Sequence, residues 1–216
     1  MILNRHMHYL NAKFIFMKKL IIPAITALVL LSFTVIDPLP IGSPLPGAAV
    51  ELKDVSGKTI TLQKAQAKNG LLVIFSCNTC PYVIKNQERN NAICAYAQKN
   101  NIGVIILNSN EAYRGSEDSY EAMQAYAKEQ QYKWHYAVDA NHTLADAFGA
   151  TRTPECFLFD KASKLVYHGA IDNNPSDADN VTRKHLQTAI DELLAGTDIA
   201  VKQSKSVGCT IKRKKQ

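Results

Sequence analysis

Residues 71–86 read LLVIFSCNTCPYVIKN, and no other stretch limits the fold so strongly. The apolar run Leu71 to Phe75, bounded by Asn69-Gly70, suits a strand covered on both faces. The run stops at Cys77 and Cys80, and Pro81 follows at once. Proline fits the first turn of a helix, where its missing N–H leaves no bond unmade. The chain must therefore turn from a buried strand straight into a helix, with two sulfurs at the corner.

The flanking sequence supplies the layers that such a strand needs. VELKDVSGKTITL, centred on Ser56-Gly57, reads as a β-hairpin. From Pro81 to Lys99, the residues Val83, Ile84, Gln87, Cys94 and Ala97 fall at helical spacing. Gly103 to Leu107 is a second buried strand. Ser119 to Gln130 predicts a helix with Ser119 as N-cap and Met123, Tyr126 and Ala127 on one face. A shorter helix spans Leu144 to Phe148 and stops at Gly149. Strands at 155–160 and 165–169 follow, with His168 and Asp172 read as turn or surface residues. A last helix over 182–194 closes at Gly196. Alternating strands and helices predict an α/β fold: a central mixed sheet flanked by helices, with an N-terminal hairpin and antiparallel strands at one side. The 46% hydrophobic content supports one domain, placed at 48–201, and no internal repeat is visible.

The ends have a different character. Residues 1–36 carry Arg5, Lys13, Lys18 and Lys19 and no acid, while 202–216 carry six basic residues and no acid. Of the net +6, the ends hold +4 and +6, which leaves the body at −4. A nucleic-acid binder would place its positive stripe on the body, so that class is set aside. The tail at 202–216 reads as a solvated end, with contact to anionic lipid as the alternative. Met17-Lys18-Lys19 followed by an uncharged run from Leu20 to Ile36 has the pattern of a bacterial secretory signal, cleaved or kept as a membrane anchor, with translation starting at Met17. IDPLPIGSPLPG, with four prolines and two glycines, predicts a linker at 37–47. The domain is thus expected outside the cytoplasm, in the bacterial cell envelope, where disulfides persist.

A thiol at the start of a helix can fall from a pKa of about 8.5 towards about 7 or below, because free backbone N–H groups favour the anion. Two cysteines three positions apart can also bridge. The other readings are half of a zinc site or a structural disulfide. Zinc needs two further ligands, and the histidines at 135, 142, 168 and 185 offer no close pair. Cys94 lies on an apolar helix face and reads as core. Cys156 reads as core or as a neighbour of the pair. Cys209 reads as structural, idle, or an additional resolving thiol.

With CNTC goes a second motif, Gly149-Ala-Thr-Arg-Thr153-Pro154-Glu-Cys-Phe-Leu-Phe-Asp160. The two together resemble the thioredoxin-like superfamily. LNSNE (107–111), LVYHGAIDNN (165–174), GCTIK (208–212) and the long gap from Cys80 to Pro154 resemble its redoxin branch, related to alkyl hydroperoxide reductases and thiol-specific antioxidants. The resemblance covers about residues 45–212. It implies a thioredoxin-like fold without cofactor or metal, in which Cys77 attacks a disulfide and Cys80 resolves the mixed disulfide. It also implies a cis Pro154 that presents the Thr153 backbone to an extended substrate. The implied partners are disulfide-bearing proteins and an upstream thiol reductant. The sequence departs from the pattern in three places. Ser76 stands where a tryptophan commonly precedes the first cysteine. Leu71 stands where thioredoxins bury an acid. The peroxiredoxin Pro-x-x-x-Thr-x-x-Cys motif is unmet, because Val73 and Cys77 hold the proline and threonine places if Cys80 is aligned as the peroxidatic residue. Two alternatives stay open: a thiol peroxidase dependent on Cys80, and a copper-delivery protein in which His135 or His168 joins the two cysteines.

Overall fold

The computed structural model describes residues 37–214, so the expected signal or anchor at 1–36 and the start at Met17 lie outside the described residues. The expected hairpin forms from β1 (Leu52–Asp54) and β2 (Thr59–Ile60), with Leu52 opposite Ile60. A short helix α1 (Leu62–Ala65) leads to β3 (Gly70–Ser76). Next come α2 (Pro81–Lys85), α3 (Gln87–Lys99), β4 (Ile102–Asn108), α4 (Tyr120–Glu129), β5 (His135–Val138) and α5 (Thr143–Phe148). The last elements are β6 (Arg152–Thr153), β7 (Glu155–Phe159), β8 (Leu165–Gly169), α6 (His185–Ala195) and β9 (Cys209–Thr210). One mixed sheet runs β2-β1-β5-β4-β3-β7-β8, and β6 pairs with β9 apart from it.

β3 is the axis of the sheet. It runs parallel to β4 and antiparallel to β7, and all seven of its residues are buried. Its alternate side chains divide between two apolar layers. Leu72 and Ile74 join Val104, Ile106, Cys156 and Leu158 beneath α3, α4 and α6. Leu71, Val73 and Phe75 join Ile105, Leu107, Phe157 and Phe159 beneath α1 and α5. The continuous apolar run is thus two period-two faces, each covered by helices. Edge-to-face contacts among Phe75, Phe148 and Phe157 hold the second layer near the cysteine corner. Each buried phenylalanine contributes about 2–3 kcal/mol of apolar burial. Gly70 is required where β3 begins: its φ is +137°, and a Cβ there would lie 2.1 Å from the Phe159 carbonyl oxygen.

Several expectations need correction. The helix after Pro81 is broken at Asn86, a buried residue whose amide donates to the carbonyls of Tyr82 and Pro175. Ile84 is consequently 56% exposed rather than part of a continuous apolar face. His168 and Asp172 are buried instead of lying on the surface. His168 Nε2 meets Glu155 Oε1 at 2.8 Å, and Asp172 pairs with Arg89. The stretch 37–47 is not a free spacer. Leu39, Gly42 and Leu45 donate backbone bonds to Phe148, Leu165 and Ser163, and Leu45 is buried. The tail is not a solvated end either, because β9 pairs with β6 and Ile211 enters the second apolar layer. The strand β5 has no counterpart among the strands expected from the sequence. Among the described residues no helix is long and apolar enough to cross a membrane.

Candidate active site at the β3–α2 corner

Antiparallel register brings the two sequence motifs together. Phe75 of β3 faces Glu155 of β7. Ser76 and Cys77 follow Phe75 while Thr153 and Pro154 precede Glu155, so the two segments leave the ladder side by side. The Thr153–Pro154 bond is cis. Cys77 Sγ lies 3.6 Å from Thr153 Oγ1, and Cys80 Sγ lies 3.2 Å from the Thr153 carbonyl oxygen, to which its S–H donates when protonated. Both cysteines are buried, and with Val83 they form a small cluster against Tyr82 and Cys209.

The helix start favours the second cysteine. Cys80, not Cys77, is the N-cap of α2, and Pro81 opens the helix. Charge settles accordingly. Cys80 is pulled down to about 4, first by a hydrogen bond from the Cys77 thiol, then by the Cys209 thiol, the Thr153 hydroxyl and the Val83 N–H, against the opposing effect of burial. Cys77 is pushed up, first by its bond to Cys80, then by burial and the negative charge of Asp118. The two sulfurs share one proton, so the titration belongs to the pair. The sequence alone predicts the favourable N–H groups at Cys77; the chain instead enters the helix one residue after Cys80.

A buried polar network lies behind the corner. Asp118 accepts from the Asn78 N–H at 2.9 Å, from the Asn108 amide at 2.7 Å and from the Asn110 amide at 2.8 Å. Tyr136 OH donates to Asn78 Oδ1 at 2.8 Å, tying β5 to the loop between the cysteines. Leu71 holds the place where the resemblance implies a buried acid. The acid comes instead from Asp118, just before the Ser119 cap. The signal available was its place one residue ahead of that cap, which is weak by itself.

The remaining expected residues separate cleanly. Cys156 and Cys94 sit together in the first apolar layer, and burial pushes both thiols up. Cys209 reaches the site. It lies opposite Thr153 in the β6–β9 pairing, packs against the cluster of Cys77, Cys80 and Val83, and is the most exposed of the three cysteines there. Neither His135 nor His168 joins them: His135 pairs with Asp54 and His168 with Glu155. Among the described residues no group of three or more His, Cys, Asp or Glu side chains forms a metal-holding cluster.

The Redoxin family profile matches residues 40–182, which include both motifs. The chain belongs to the Redoxin family. Two crystal structures are similar over most of this redoxin. A hypothetical protein from Sinorhizobium meliloti is 32% identical, with a TM-score of 0.75, over 82% of this chain and 97% of that one. An uncharacterized conserved protein from Geobacillus kaustophilus is 31% identical, with a TM-score of 0.76, over 82% and 94%. The thioredoxin domain of a thiol-disulfide oxidoreductase from Bacteroides vulgatus shares the fold at 16% identity, with a TM-score of 0.50, over 60% of this chain and 86% of that one. Comparison with curated proteins gave no match. The fold is the thioredoxin-like one of the redoxin branch, and the family is one of redox proteins.

Proposed function

We propose that this redoxin is a thiol–disulfide oxidoreductase that exchanges disulfides with proteins of the bacterial envelope through Cys77 and Cys80. One observation carries the reading. Two adjacent sulfurs share a single proton at a strand–helix corner, one of them held as a thiolate, with Thr153 against both. Cys77 gives its proton to the Cys80 thiolate as it attacks one sulfur of the substrate disulfide, and the substrate's other sulfur leaves. Cys80 then attacks the Cys77 sulfur of the mixed disulfide and releases the second substrate sulfur. The pair's one proton and one negative charge end on the two substrate sulfurs, and a thiol reductant later restores the dithiol. The envelope setting rests on the lysine-then-apolar pattern at 17–36. An extended substrate beside Thr153 would take the edge that β9 holds in this structure.

Insulin-disulfide reduction tests the proposal. Cys77→Ser should lower the rate at least about 100-fold, and Cys80→Ser should trap substrate on Cys77. Undiminished reduction by Cys77→Ser would sink it, and trapping on Cys80 in that variant would exchange the two roles. A second reading is favoured by the charge on Cys80: a thiol peroxidase. Hydrogen peroxide consumption that survives Cys77→Ser and is lost in Cys80→Ser would select it.

A further inference from the structure

The third sulfur at this corner comes from the segment expected to be a free tail. Residues 202–213 are fastened on both sides of Cys209. Upstream, the Ser204 N–H donates to the His168 carbonyl at 3.0 Å, extending the edge beyond β8. Downstream, the Ile211 N–H donates to the Thr151 carbonyl at 3.0 Å, the Lys212 N–H to Asn110 Oδ1 at 2.8 Å, and Arg213 Nη2 to the Ala150 carbonyl at 2.7 Å. Between them β9 pairs antiparallel with β6, with Cys209 directly opposite Thr153. The approach is close at Gly208, where a Cβ would lie 2.1 Å from the Thr153 carbonyl oxygen, so only glycine lets the strand seat this deeply. Thr153 is also the residue that touches both Cys77 and Cys80. Strand pairing therefore fixes Cys209 against the pair rather than leaving it to chance contact.

Access differs among the three. Cys77 is 2% and Cys80 3% exposed, whereas Cys209 is only partly covered. We infer that Cys209 is a third redox residue of the site, which draws the disulfide from the buried pair towards the surface by exchange with Cys80. The inference rests on the thiol–disulfide reading above. After substrate has been reduced, the Cys77–Cys80 bond is the oxidant. The Cys209 sulfur attacks Cys80 Sγ, the Cys80–Cys209 bond forms, and the Cys77–Cys80 bond breaks. Cys77 leaves as a thiolate and takes up the proton given up by Cys209, so no outside oxidant enters. A thiol reductant then attacks Cys209, the sulfur it can reach, and Cys80 leaves as a thiol to complete the free dithiol. A second reductant thiol attacks the mixed disulfide on Cys209, frees Cys209 and departs as the reductant's own disulfide.

Disulfide mapping of the full chain tests this. Reduced wild type and Cys77→Ser are treated with diamide, free thiols are alkylated, and linked peptides are identified by mass spectrometry. The Cys80–Cys209 peptide should appear beside Cys77–Cys80 in wild type and become the main linked species in Cys77→Ser. Reduction of the oxidised protein by glutathione should be slowed at least about fivefold in Cys209→Ser, because attack must then reach a buried sulfur. If wild type gives Cys77–Cys80 while neither protein gives Cys80–Cys209, the Cys209 role falls and the dithiol reading stands. Absence of Cys77–Cys80 as well would overturn both. Should Cys77→Ser not fold, the wild-type map and the Cys209→Ser kinetics decide the question by the same outcomes.

Discussion

The five cysteines occupy two environments within one domain. Cys94 and Cys156 lie in the apolar layer under α3 and α6, where nothing nearby stabilises a thiolate. Cys77, Cys80 and Cys209 are clustered at the β3–α2 corner, and each sulfur there has a hydrogen-bonding neighbour. Burial alone does not separate the groups, since Cys77 and Cys80 are nearly as enclosed as the core pair. Donors make the difference. A sulfur surrounded by hydrocarbon keeps its proton, whereas one that receives S–H, O–H and N–H bonds can give it up.

The widest gap between the groups should appear in titration. Thiolate ultraviolet absorbance of the reduced protein should show one thiolate forming as pH rises through about 4, the position to which Cys80 is pulled. The other buried sulfurs should ionise only in strong alkali. Because Cys80 is depressed in the folded state, its contribution to the stability of the reduced protein grows as pH rises from about 4 towards the ordinary thiol pKa of about 8.5. Above that value the raised Cys77 reverses the trend, because the unfolded chain loses a proton that the native state keeps. A single step near the ordinary thiol value would erase the distinction between the two environments.

Substitution sharpens the contrast by a smaller amount. Cys156→Ala should lower stability by about 1–3 kcal/mol, as expected for a buried sulfur with packed neighbours, and leave insulin reduction unchanged. Loss of activity without loss of stability would move Cys156 into the other group. The smallest effect should come from the tail's outer fastening. Arg213→Ala removes a partly exposed bond to Asp146 and one to the Ala150 carbonyl, and should cost less than about 1 kcal/mol in a melting experiment. Alkylation of Cys209 should speed up about twofold as β9 opens more often.

Much of this arrangement could be read in the sequence because the signals were local. The run Leu71–Phe75, the proline after Cys80, the cap at Ser119 and the stop at Gly149 each act within a turn or two of chain. Thr153-Pro154 was legible as a motif, and the β3–β7 register explains why it meets the cysteines. What could not be read depends on tertiary docking. Nothing in VGCTIK distinguishes a strand on β6 from a solvated end, since its two paired residues have too little periodicity to show. Asp118 and His168 look like surface residues until Asn78, Asn108 and Glu155 arrive as partners. The helix breaks at Asn86 because its side-chain amide donates to the carbonyl of distant Pro175 as well as to that of Tyr82 in its own turn.

The strand that closes the corner comes from far along the chain and brings only two residues of pairing. Its docking gains little until the sheet and the contact at Ser204 already exist, so it belongs to the late part of folding. Until it docks, the corner at Cys77 and Cys80 would lack the cover of β9 and of Cys209. In an oxidising medium that order would favour a Cys77–Cys80 bond over any bond to Cys209 in a newly folded chain.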